Sequence, residues 1–345
     1  MRALVFNDAY SVAVEEVPDP EIVAATDAIV RVVATCVCGS DLWYYRGETP
    51  KAAGSRIGHE FIGVVEAIGT DVGQVRVGDF VVAPFKYSDN TCVHCVAGIT
   101  TSCVHGGFWG SKGVDGGQGE FVRVPLADGT LVVVPGGRPD DALIPHLLAL
   151  TDVYGTGFHA ARGAAVVPGS TVAVVGDGAV GLSGVLAAKR LGAERIIALS
   201  RNPERQALAT RFGATDLVAV RGADAVEAVL ELTDGIGADA TLECVGTAES
   251  FTTAFAIARP GSRVGFVGMP HGVEFPLNIA FGNNVGLGGG IAPVRAVMPE
   301  LLTEVLDGVI EPGLVFDLEV AFEDLPEGYA AMDERRAVKA MARLS

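Results

Sequence analysis

Positive charge is scarce in this chain. It carries 25 Lys and Arg against 42 Asp and Glu, a formal net charge of −17, and an acidic field of that size repels the phosphates of nucleic acid and of anionic lipid. A broad phosphate-binding surface is therefore disfavoured and any phosphate site has to be local, although the acidic balance reads first as a solubility feature that says nothing of substrate. Long apolar runs are also missing: none reaches the roughly 18 residues of a membrane span before Gly, Pro or charge interrupts it. The opening MRALVFNDAY enters alternating strand-like residues without a basic start and an apolar signal core, which predicts a soluble, cytoplasmic protein. Cysteine is too sparse for a disulfide scaffold, with six in 345 residues, yet five of the six fall between Cys36 and Cys103. That clustering suggests metal rather than crosslinks.

Apolar material is plentiful. With 49% hydrophobic and 19% charged residues over 345 positions, the chain can bury more than one core, and two domains are expected. Up to about residue 150, short Val-rich runs such as AIVRVVA, GVVEAIG and DFVVAP alternate with Gly, Pro and Asp, a pattern of short strands and tight turns. From there to about residue 290, TVAVV, LSGVLAAKRLG, RIIAL and PERQALATRFG alternate strand with helix, as βαβ units on a parallel sheet do. Residues 1–153 and 154–290 are the expected domains. The last segment, 291–345, is expected to pack back onto the first domain through a helix at VRAVMPELLTEVLDG, an extended stretch around LVFDLEVAF and a closing helix that bears Lys and Arg.

Gly176, Gly178 and Gly181 fall at G-x-G-x-x-G spacing, with Ala179 and Val180 between the last two, directly after a buried-strand pattern and before an Ala/Leu helix. In that context the first Gly allows the tight turn, the second lets a pyrophosphate approach the backbone and the third lets helix and strand pack closely. An acid at the end of the second strand would accept the ribose 2′-hydroxyl of NAD(H); RIIAL is followed instead by Ser200 and Arg201, which suit a 2′-phosphate. NADP(H) is favoured over NAD(H), unless Arg201 is only a solvated loop charge.

Three further constellations stand out. TCVCGSD supplies Cys38, IGHEFIGVVEAIG supplies His59 and Glu60, and LLALTDVYGTGFHAA supplies Asp152 just before the dinucleotide domain. Singly, a Cys or His is more often a core residue than a ligand. Together Cys38, the G-H-E-x-x-G-x5-G-x-x-V run from Gly58 to Val72 and the Gly-rich turn resemble the zinc-containing medium-chain dehydrogenase/reductase family over essentially the whole chain. The T-D-V-Y-G-T-G-F-H stretch is similar to bacterial NADP-dependent secondary-alcohol dehydrogenases of that family, in which Asp takes the third zinc position.

The resemblance implies an α/β chain: a GroES-like β-barrel catalytic domain plus a Rossmann domain with a doubly wound parallel sheet. It implies a catalytic zinc on Cys38, His59 and Asp152, with Glu60 as an adjacent or exchanging ligand. It implies that Ser40 takes the alcohol proton and that Thr156 lies against the nicotinamide. A relay His common in the family is replaced by Trp43, so the last proton needs another route. A second zinc, structural in the family, falls on Asp89, Cys92, Cys95 and Cys103, where Asp89 stands in for the usual first Cys; oxygen is an acceptable zinc donor. His94 could substitute, and a lobe of unmetallated thiols is the bland alternative. Cys36 and Cys244 read as core residues.

The implied activity is hydride transfer between NADP(H) and a small alcohol, aldehyde or ketone, in a homodimer or homotetramer. A polyol or sugar dehydrogenase, a zinc-free reductase of activated double bonds and a non-catalytic nucleotide-binding protein are the competing readings. The three catalytic-zinc ligands argue against the last two. Trp43, Tyr44, Phe108 and Trp109 are expected to line the substrate pocket.

Overall fold

A computed structural model describes residues 1–111 and 113–344, which form two compact units, Met1–Asp152 with Pro293–Ser345 and Val153–Ala292. The first unit is organised by the strand Ala28–Cys36. Eight of its nine residues are buried, and its Val and Ile side chains suit a pleated surface covered on both faces. It pairs antiparallel with Phe61–Ile68, with Phe121–Val124 and with Ala340–Arg343. Phe80–Ala83 and Val132–Val133 extend the sheet on one side, and Leu318–Ala321 on the other. Val30, Val32, Phe61, Val65, Val81 and Val122 fill the core beneath.

Trp109 belongs to that core, against the expectation that it lines a pocket. Its ring meets Phe61 edge-on at 5.0 Å and Tyr87 at 5.6 Å, and its Nε1 donates to the Pro84 carbonyl at 2.9 Å. A buried indole needs such a partner for its N–H.

The C-terminal segment corrects a second expectation. The helices Val294–Leu306 and Leu325–Asp333 form, but the Lys/Arg-bearing tail is not helical. Arg335 turns left-handed (φ 59°), and Ala340–Arg343 enters the sheet between Ala28–Cys36 and Leu318–Ala321. Burial of Ala340, Met341 and Ala342 outweighs the helix propensity of an Ala/Lys-rich run.

In the second unit, six parallel strands among the described residues lie in the order Asp216–Val218, Arg195–Leu199, Thr171–Val175, Ala238–Glu243, Ala258–Phe266, Gly286–Gly289. This is the 3-2-1-4-5-6 order of a doubly wound dinucleotide-binding sheet. Local sequence explains the helix Pro203–Phe212 well. The Asn202 side chain accepts from the backbone N–H groups of Glu204 and Arg205, Pro203 opens the first turn, and Gly213 (φ +117°) ends it.

Candidate metal centre and dinucleotide site

Cys38 follows the Ala28–Cys36 strand, His59 and Glu60 precede the Phe61–Ile68 strand, and Asp152 follows the helix Ile144–Ala149. The sheet pairing that brings Thr35 opposite Phe61 thereby brings the loops of Cys38 and of His59 and Glu60 together. Asp152 is held by its neighbour Thr151, whose carbonyl accepts from the Phe85 N–H at 2.9 Å and whose hydroxyl donates to Glu60 Oε2 at 3.3 Å. Donor atoms from Cys38, His59, Glu60 and Asp152 all lie within 4.8 Å of one another. Cys38 Sγ is 3.5 Å and His59 Nε2 3.3 Å from Asp152 Oδ2.

Two charged residues that the sequence reading did not single out support this cluster. Asp41 Oδ1 lies 3.1 Å from His59 Nδ1, and its Oδ2 accepts from the Cys38 backbone N–H at 3.0 Å, so one carboxylate orients both candidate ligands. A carboxylate behind a metal-binding imidazole fixes the tautomer that leaves Nε2 free to bind. Lys339, from the C-terminal strand region, places Nζ 2.6 Å from Glu60 Oε1 and donates to the Val37 carbonyl at 3.0 Å. Glu60 is therefore already engaged on both oxygens, by Lys339 and Thr151.

The electrostatics fit a cation. Burial pushes the Cys38 thiol up, and the carboxylates of Asp152 and Glu60 push it further. Burial also raises Glu60, against the pull of Lys339. At His59 burial opposes protonation, but the Asp41 carboxylate and Cys38 outweigh it and hold the pKa well above the ordinary histidine value. Such a set of soft and hard donors, with buried negative charge in excess, suits a divalent ion with three protein ligands and an open position. Ser40 is exposed beside this site as the residue before the short helix Asp41–Tyr45. Phe85, absent from the sequence-based candidates, faces the His59 ring edge-on at 6.4 Å and stacks with Phe108 at 6.3 Å. Tyr44 turns instead toward Phe6 and toward the Tyr329 hydroxyl, 3.3 Å from its own.

The lobe residues Asp89, Cys92, Cys95 and Cys103 form a second group of donors within 4.8 Å. Asp89 Oδ1 accepts from the backbone N–H groups of Thr91 and Cys92, and its Oδ2 pairs with His105 Nδ1 at 2.6 Å. His94 is exposed on the short helix Val93–Val96, so the histidine that meets the lobe carboxylate is His105. Burial would raise Asp89, but His105 and the two amides hold it far below the usual carboxylate range. The amides of Cys95 and Val104 bring the Cys92 thiol down to about 7, toward the thiolate that binds metal. Cys36 is fully buried, whereas Cys244 is only half-buried.

In the second unit the turn after Thr171–Val175 has the form that a pyrophosphate requires. Gly176 takes φ +122°, and a Cβ on Gly181 would lie 2.0 Å from the Gly176 carbonyl oxygen, so the helix packs onto the turn only through glycine. A Cβ on Gly178 would meet nothing within 4 Å, the space a phosphate would use. The helix Ala179–Arg190 has no side-chain cap, which leaves the N–H groups of Ala179, Val180 and Gly181 at its start for an anion. Ser200 follows the Arg195–Leu199 strand and is buried, Arg201 is exposed, and Thr156 is buried in the helix Val153–Gly163.

Comparison with known proteins agrees with this architecture. The family described as "Alcohol dehydrogenase GroES-like domain" matches residues 24–136, and that described as "Zinc-binding dehydrogenase" matches residues 179–307. A zinc-type alcohol dehydrogenase B of Aspergillus flavus is 33% identical over 98% of this chain and 80% of its own. A medium chain reductase/dehydrogenase of an Acremonium species is 40% identical over 79% of this chain and 94% of its own. Among solved structures, an alcohol dehydrogenase from Thermus sp. ATN1 superposes with a TM-score of 0.92 at 33% identity, covering 100% of both chains. With its ligand-bearing antiparallel domain, its doubly wound sheet and these relatives, the chain belongs to the zinc-containing medium-chain dehydrogenase/reductase family, among the zinc-type alcohol dehydrogenases.

Proposed function

We propose that this oxidoreductase transfers a hydride between NADP(H) and a small alcohol, aldehyde or ketone, with a catalytic zinc on Cys38, His59 and Asp152 and a structural zinc on Asp89, Cys92, Cys95 and Cys103. The observation that carries the reading is the convergence of three donor side chains from three separated loops, backed by Asp41. When bound, zinc supplies Lewis acidity toward the substrate oxygen, and the nicotinamide gives or takes the hydride.

The chain's own residues do the rest. Asp41 holds His59 and the Cys38 loop, Glu60 balances Lys339, and Ser40, exposed two residues beyond Cys38, accepts the alcohol proton or returns it. Ser200 and Arg201 receive the adenosine 2′-phosphate, and the turn from Gly176 to Gly181, including Ala179 and Val180, receives the pyrophosphate. Thr156 packs against the nicotinamide. Phe85 puts an apolar ring beside His59, with Phe108 stacked on it, which favours substrates with an alkyl or aryl group over polyols. The working form is a cytoplasmic homodimer or homotetramer.

The test is metal analysis of the purified protein together with NADPH and NADH oxidation against short aldehydes, ketones and sugars. Two zinc ions per chain with NADPH-dependent reduction of simple carbonyls is the expected result. Tight cofactor binding with neither zinc nor turnover would defeat the proposal.

A further inference from the structure

In a doubly wound domain the residue about 20 positions past the glycine turn reads the ribose 2′ position; an acid there accepts the hydroxyl and repels a phosphate. Here that position carries Ser200 and Arg201, with no acid. The fold returns an acid from elsewhere. Asp177, between the first two glycines of the turn, accepts a hydrogen bond from Ser200 Oγ at 3.0 Å through its Oδ2. Arg205, in the first turn of the Pro203–Phe212 helix, closes on the same residue: its Nη1 lies 3.5 Å from Asp177 Oδ1 and donates to the Asp177 carbonyl at 3.2 Å.

The side chains of Arg205 and Asp177 are only 7% and 14% exposed, so water screens their charges weakly. Two consequences follow. The buried Ser200 hydroxyl directs its proton at Asp177, so it must give up that bond before it can donate to a 2′-phosphate oxygen. The positive charge of Arg205 is answered by Asp177, which leaves exposed Arg201 as the cation that faces a 2′-phosphate.

We infer that Asp177 is the specificity-determining residue at the adenosine end of the cofactor site: its carboxylate opposes a 2′-phosphate and limits the preference for NADP(H) that Arg201 confers. This rests on the reading of Ser200 and Arg201 as the 2′ end of the site. The carboxylate acts at the same place as the acid of an NAD(H)-selective strand end, but from the glycine turn and partly neutralised by Arg205.

Titration of NADPH and NADH fluorescence on the purified full-length protein tests this without metal or substrate. Asp177→Asn keeps the shape and an acceptor for Ser200 and Arg205 while removing the charge. The NADPH Kd is expected to fall about tenfold, with the NADH Kd changing less than about twofold. Asp177→Ser, used if the Asn variant does not fold, should shift the ratio in the same direction. An unchanged ratio, or weaker NADPH binding in the variant, overturns the inference. Arg201→Ala forms a separate arm. If it alters neither Kd while Asp177→Asn still shifts the ratio, the assignment of Arg201 to the phosphate fails and the role of Asp177 stands.

Discussion

Lys339 Nζ lies 2.6 Å from Glu60 Oε1 across 279 residues of sequence, and both side chains are fully buried. The pair ties the C-terminal segment to the loop that carries His59. Removing one partner of a buried ion pair leaves an uncompensated charge, whereas replacing both removes the problem. Lys339→Met is expected to cost about 3–5 kcal/mol in urea denaturation, and adding Glu60→Gln should recover a large part of it. If the double variant is no more stable than Lys339→Met alone, the pair is not the source of the loss.

Asp152→Ala should empty the catalytic metal site while the fold and NADPH binding persist. Its carboxylate lies within reach of both other donors, and Cys38 and His59 alone hold zinc poorly. Circular dichroism, zinc content and turnover would be compared with the parent protein. Full activity without this zinc would remove the metal from the mechanism.

In the proposed structural-zinc lobe the Asp89 carboxylate would have two roles that one substitution separates. Asp89→Asn keeps an oxygen for the Thr91 and Cys92 amides but loses the charge that faces His105 and a metal. Zinc content is expected to fall from two ions toward one per chain, with the catalytic site still loaded. Asp89→Ala also loses the turn-forming hydrogen bonds, at a further cost of about 1 kcal/mol. An unchanged zinc content in both variants would show that the lobe carries no metal through Asp89.

The glycine turn yields a contrast. Gly178→Ala has open space around the added Cβ and should leave thermal stability within about 1 kcal/mol of the parent, yet weaken NADPH binding by filling the phosphate's approach. Gly181→Ala drives a Cβ into the Gly176 carbonyl and should lower both Tm and affinity. Equal NADPH affinity in Gly178→Ala and the parent would place the pyrophosphate elsewhere.

Arg195 donates to both carboxylate oxygens of Asp216 at 2.8 Å, and those hydrogen bonds hold the Asp216 pKa below the usual carboxylate value. A carboxyl whose pKa is lowered by folding contributes stability above its unfolded pKa of about 3.9 and loses it as pH falls through the folded value. Because the pair is partly exposed, Asp216→Asn should cost only about 0.5–1 kcal/mol at neutral pH. The difference from the parent should close as the pH is lowered below about 4. A difference that is independent of pH would mean that the Asn variant disturbs packing rather than charge.

Much of this protein is determined locally and is legible in the chain. The strand TVAVV, the G-x-G-x-x-G turn and the helix after it are fixed by β-branched residues, glycine dihedrals and an Ala/Leu run within about 20 residues of each other. The proximity of Cys38 to His59 and Glu60 was visible through resemblance, because these candidate ligands sit in short motifs at strand ends. The tertiary structure decided whatever depends on residues far apart in sequence. Trp109 became core because Phe61, Tyr87 and the Pro84 carbonyl surround it, and no local pattern separates that from a pocket ring. Ala340–Arg343 became a strand because the sheet between Ala28–Cys36 and Leu318–Ala321 buries it, although its composition favours helix. The same holds for charge. The sequence displays Asp177, Ser200 and Arg205, and Glu60 and Lys339, as scattered ionisable or polar residues; only the folded chain makes them neighbours, and Coulomb interaction and hydrogen bonding act on distance in space, not along the backbone.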